Sequence, residues 1–185
     1  MNIGYVASTI IAGIIMISVV ALNMRISQNS GEQTLYSMAN TNANMLAEFF
    51  RHDLRSMGYG IEGGSPVLEA GSNHIRFQVH FEGQEEPTEI TWSFEPDSST
   101  SYRNPAIRPL YRIVNGEVDQ VGVGITGFGL EYLDSNRNIL DPATAPLTEI
   151  RQIRLNLVVE STEGYGDGRY GRSTWTGEIT PYNLN

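Results

Sequence analysis

The sequence predicts an α+β protein in which one long N-terminal helix packs on an antiparallel β-sheet. Three observations carry that expectation. A 20-residue apolar run, Ile3 to Leu22, opens the chain. Apolar residues at three-to-four-residue spacing follow between Leu35 and Met57. From His74 onward, segments alternate apolar and polar residues with period two.

The opening run is long enough to cross a membrane, because about 20 residues rising ~1.5 Å each span ~30 Å of hydrocarbon. It holds no charge, and its polar side chains, Tyr5, Ser8, Thr9 and Ser18, carry only hydroxyls. Aliphatic hydroxyls can bond to the preceding turn of the helix and so be tolerated in lipid. A cleavable secretory signal would show a basic start, a shorter apolar stretch and a small-x-small exit; MN at the start and VVALNM at the end show none of these. The run is apolar on every face, which excludes an ordinary half-buried helix. Ser27-Gln28-Asn29-Ser30-Gly31 interrupts the pattern and is the expected place for a kink. The stripe Leu35, Met38/Ala39, Leu46, Phe49/Phe50, Leu54 and Met57 then predicts an amphipathic second half, ended by Gly58 and Gly60. The organisation expected is 1–30 membrane or filament-core helix, 31–60 amphipathic helix on the sheet, and 61–185 antiparallel β-domain.

HIRFQVHFE and TEITWSFE alternate and are joined by EGQEEP, which predicts a hairpin. PLYRIVNG (109–116) follows, with Asn115-Gly116 as a turn signal, and then a short EVDQVGVG. ITGFGLEYLD presents Phe128, Leu130 and Tyr132 on one face; EIRQIRLNLVVE presents Ile153, Leu155, Leu157 and Val159. EGYGDGRYGR reads as a mobile loop before STWTGEIT and the ending PYNLN. A helix stripe on one sheet face suffices for a two-layer core.

The 185 residues carry a net charge of -9, which argues against nucleic acid or an anionic lipid surface as partner. All twelve basic residues are Arg. The absence of cysteine excludes disulfides, thiolate metal sites and cysteine nucleophiles. No serine-hydrolase elbow, P-loop or dinucleotide-binding glycine pattern is placed between a strand and a helix, so the expectation is a protein that is not an enzyme and uses no cofactor. His52, His74 and His80 have no metal-ligand spacing, His74 and His80 being expected on one strand ~20 Å apart. Asp134, Asn136 and Asn138 set oxygen donors at alternate positions, as a calcium loop begins, yet the terminal bidentate acid is missing and Arg137 sits inside. The same residues are those of a turn. Tyr165, Tyr170 and Trp175 offer either partner contacts or packing.

Several phrases together resemble the type IV pilin superfamily, most closely its J/W-type minor pilins and the type II secretion pseudopilins. The apolar start runs into a helix closing on FFRHDLRSMGYG; RFQVHFEG with ITWSF is similar to the first hairpin of those proteins. LYRIVNGEVDQVGVGITGFGLEYLDSNRN is similar to their middle strands, and EIRQIRLNLVVE with GEITPYNLN to their close. The likeness runs through nearly the whole chain. It implies a pilin-like fold, an N-terminus in the cytoplasm, and a β-domain in the periplasm or on an extracellular filament. The implied partners are other pilin-like subunits and the inner-membrane assembly machinery. Gly4-Tyr5 stands for the family's leader-cleavage pair, although the leader MNIG has no basic residue. Thr9 occupies the place of a glutamate that meets a neighbour's N-terminal amine in that family. The departure points to a capping or specialised subunit, or to one that is never processed. Ala7, Ser8 and Ala12, with Thr9 beside them, offer a small-residue face for helix packing in lipid. The other class of function open to such a chain is a monomeric, membrane-anchored binding or adhesin-like module. Arg25 just past the apolar run leans weakly towards the opposite orientation.

Overall fold

The computed structural model describes residues 3–165 and 168–184. Its first element, α1, is a single α-helix of 54 residues, Ile3–Ser56. At ~1.5 Å per residue it is a rod of roughly 80 Å. The helix is not interrupted at Ser27–Gly31, where the sequence places a softening or kink. Each residue there costs at most about 1 kcal/mol of helix propensity, less than breaking a continuous ladder of backbone bonds. The polar stretch is also knitted into the ladder, with Thr34 Oγ1 donating to the Ser30 carbonyl at 2.9 Å.

Among the described residues nine strands follow: β1 Val67–Ala70, β2 His74–Val79, β3 Thr88–Phe94, β4 Leu110–Val114, β5 Glu117–Gln120, β6 Ile125–Leu133, β7 Ile139–Leu140, β8 Gln152–Tyr165 and β9 Arg169–Ile179. They are antiparallel throughout but form two sheets, ordered β1-β2-β3-β4-β5 and β7-β6-β8-β9. The expected single sheet face is therefore two. The break falls after β5, where Gly122 and Gly124 take φ of 75° and 83°, a region that turns the chain out of an extended path at little cost only for glycine. The sheets meet where the Leu130 N–H donates to the Ser72 carbonyl at 2.8 Å, and where the buried Tyr132 hydroxyl reaches the Gly71 and His74 carbonyls.

The alternating segments behave as read. Ile75, Phe77 and Val79 of β2, Ile90, Trp92 and Phe94 of β3, and Ile153, Leu155, Leu157 and Val159 of β8 all point into one core. β2 ends at Val79, so His80 lies one residue beyond the strand rather than on it with His74. The segment EGYGDGRYGR is not a free loop. β8 runs to Tyr165 and β9 starts at Arg169, leaving a tight hairpin whose Gly166 and Asp167 lie outside the described residues. Short β1 and β7 lie outside the alternating segments of the sequence.

The lower half of α1 buries Ala39, Ala43, Leu46, Ala47, Phe50 and Leu54, and Met57 just past its end is buried with them. Of the paired alternatives in the sequence, Ala39 and Phe50 face inward; Met38 and Phe49 stay 53% and 40% exposed. The helix lies on β8 and β9, and Phe50 bridges the sheets, meeting Trp92 of β3 and Phe128 of β6 edge-on at 5.1 and 5.5 Å between centroids.

Candidate functional site

The feature of α1 with functional weight is the contrast between its two ends. Among the described residues no other part of the chain covers Gly4–Ile26; Ile10, Ile14, Met16, Val20 and Leu22 are all more than half exposed. The helix is long and apolar enough to cross a membrane, and none of its most apolar stretch is buried. Two of its hydroxyls bond back to the preceding turn. Thr9 Oγ1 donates to the Tyr5 carbonyl at 2.7 Å, and Ser18 Oγ to the Ile14 carbonyl at 2.8 Å. Each such bond removes an unpaired polar group that would cost a few kcal/mol in hydrocarbon.

Gly4 lies in the first turn of this rod, with Tyr5 beside it 80% exposed. Ser8 and Ala12 are one turn apart on one face, flanked by Ala7 and Thr9, all of them exposed. Nothing lies within 4 Å of a Cβ built on Gly4 or Gly13. Small residues at this spacing let a second backbone approach closely.

Two devices seat the lower half. Near its start, β9 comes so close that a Cβ on Gly171 would lie 2.6 Å from the carbonyl carbon of Leu35 and 2.7 Å from the amide nitrogen of Tyr36. Only glycine permits that approach. Ser161 Oγ accepts the Gly171 N–H at 2.9 Å and fixes the strand. Near its end, Asp53 is buried in the helix–sheet interface. Its Oδ2 accepts from Trp92 Nε1 at 2.9 Å and from Arg112 Nε at 2.7 Å, while Arg112 Nη2 reaches Oδ1 at 3.2 Å. Trp92 and Arg112 are direct partners across β3 and β4, so both side chains converge from one sheet face. Arg112 also sits over the Phe49 ring at 5.1 Å. The sequence reading missed this clamp. The available signal was an acidic residue three positions after Phe50 and four before Met57, on the apolar stripe itself.

Beside the seat an apolar strip remains open. Met45 and Phe49 of α1 and Val123 after β5 line a shallow groove of about 240 Å³, with Met38 farther up the same helix face.

The other candidates resolve into local structure. Asp134 Oδ1 accepts the N–H groups of Asn136 and Asn138 at 2.8 Å, and Oδ2 accepts from Asn138 Nδ2 at 2.9 Å. These bonds, that from the Asn138 side chain foremost, hold the Asp134 carboxyl below its ordinary pKa. Arg137 pairs with Glu178, which is bonded in turn to Arg154. Of the residues read as calcium donors, Asp134 thus has both carboxylate oxygens engaged in a turn. His52 is exposed, His74 lies 3.2 Å from Glu69, and His80 bonds the Gln84 carbonyl; no three acidic, His or Cys groups converge as for a metal among the described residues. Trp175 is half-buried under Arg51, Tyr170 bonds the Arg103 carbonyl, and Tyr165 meets Tyr36.

No protein-family model matches the chain, and no curated protein matches its sequence. What stands is a long N-terminal helix, apolar enough to span a membrane, with its far half packed on antiparallel sheets.

Proposed function

We propose that this chain is a structural subunit of a type IV pilus or secretion pseudopilus, of minor or tip type, that assembles through its N-terminal helix. The carrying observation is the uninterrupted α1, with an uncovered apolar upper half and a lower half fastened to the β-domain. A helix of this kind anchors the subunit in the inner membrane with the domain in the periplasm, and the same apolar surface then packs against other pilin-like helices as the assembly machinery draws the subunit into a filament. The strip at Met38, Met45 and Phe49 extends that packing surface below the membrane. Its role is mechanical rather than catalytic, and no cofactor is required.

One observation favours the alternative of a monomeric membrane-anchored binding module. Thr9 closes its hydroxyl on its own helix, so the upper half offers a neighbour's ammonium no carboxylate. The two readings separate on expression of the chain with pilus or secretion machinery. The subunit reading expects the chain in sheared filaments and in cross-links to pilin-like partners. Recovery solely as monomer in the inner membrane would contradict it.

A further inference from the structure

A cleft of about 850 Å³ lies between α1 and the paired ends of β8 and β9 at Gly164, Tyr165 and Arg169. Its helix side begins at Ser27, the residue after Ile26, where the uncovered apolar half ends, and continues to Leu35. Gly4–Ile26 rises about 34 Å at ~1.5 Å per residue, slightly more than a ~30 Å hydrocarbon core, and the headgroup layer adds about 5–8 Å beyond it. When α1 crosses a bilayer, the start of the cleft therefore lies among the lipid headgroups and its far end just above them.

The lining matches that position. Arg169 sits over the Tyr165 ring at 5.2 Å and makes no ion pair among the described residues. Tyr165 and Tyr36 hold one another, hydroxyl to hydroxyl at 3.1 Å. Tyrosines are enriched at the membrane interface, and a guanidinium matches a phosphate's oxygens. On the opposite side Glu32 supplies a negative charge. A cation and an anion facing one cleft suit a headgroup that carries both signs. The net charge of -9 disfavours a purely anionic one.

Resting on the membrane-anchored reading of α1, we infer that this cleft receives the headgroup of a zwitterionic phospholipid, phosphoethanolamine, with its phosphate at Arg169 and its ammonium at Glu32. The contact would fix the domain's height and rotation over the bilayer before assembly.

The chain has no cysteine, so single labels are readily placed. Full-length protein is put into nanodiscs of mixed phosphatidylethanolamine and phosphatidylglycerol, with a spin label at Glu163→Cys beside Gly164. Paramagnetic broadening of the two resolved ³¹P signals is then read. We expect the phosphatidylethanolamine signal to be broadened at least threefold more than the other, and Arg169→Gln to remove the difference. A control label at Glu85→Cys, in the link next to Tyr59 at the far end of α1, broadens neither. Equal broadening of both lipids, or a preference that survives Arg169→Gln, would overturn the inference while leaving the anchor intact. Failure of the chain to co-purify with the discs would overturn the anchor as well.

Discussion

The two halves of α1 carry small residues at the same spacing and meet opposite fates. Ala39, Ala43 and Ala47 lie at four-residue intervals and are at most 1% exposed. Ser8 and Ala12 repeat the interval and are uncovered. The difference is in what surrounds each stripe. Around the lower one, Asn40, Asn44, Glu48 and Arg55 give the helix a water-facing side, and the sheets bring Gly171 and the Asp53 clamp to its apolar side. Around the upper one every side is apolar, so burial by one domain would still leave most of the surface exposed to water. Only lipid or several neighbouring helices can satisfy it.

Breaking the lower seat should have the largest effect. Asp53→Ala strands the Arg112 guanidinium and the Trp92 N–H in a buried interface, and removing one partner of such a group costs about 3–5 kcal/mol. Urea unfolding of the full chain in detergent should show that loss, and a change below 1 kcal/mol would mean the clamp does not hold the helix. Ile14→Asp, at the middle of the uncovered half, should cost about 3 kcal/mol of membrane insertion and leave the domain's unfolding midpoint unchanged. Flotation with vesicles reads the first quantity. Gly171→Val should cost about 1–3 kcal/mol by forcing β9 away from Leu35, visible as loss of amide-exchange protection on α1 around residues 35–43. Unaltered exchange there would show that the close approach is dispensable.

The smallest effect concerns Asp134. Its pKa is depressed in the fold, so its contribution to stability is present above the unfolded carboxyl pKa and lost as pH falls through the lower folded value. A carboxyl NMR titration should find Asp134 ionised below the ordinary 3.8. Calcium should leave the melting temperature unchanged, since a metal would have to displace three internal hydrogen bonds. A calcium-dependent rise would restore the metal reading.

Much of this was legible because it depends on local periodicity. An all-round apolar run, a 3.6-residue stripe and period-two alternation each specify an element without reference to the rest of the chain. Helical spacing alone does not choose between adjacent positions such as Phe49 and Phe50, since a wide stripe tolerates either. The division into two sheets depends on which distant strands pair, and β6 takes β8 rather than β4 or β5. The position of Asp53 on the stripe could be read, but its partners could not, because they are 39 and 59 residues away.

The uncovered half of α1 is, in the function proposed here, a surface for like helices. Single cysteines in this cysteine-free chain test it directly, in membranes co-expressing the assembly machinery. Ala12 lies on the small-residue face, and Ile10 on roughly the opposite side of the helix. Oxidation should join Ala12→Cys chains to one another or to cysteine-bearing partner subunits and leave Ile10→Cys chains uncoupled. No coupling at either position, or equal coupling at both, would contradict the claim.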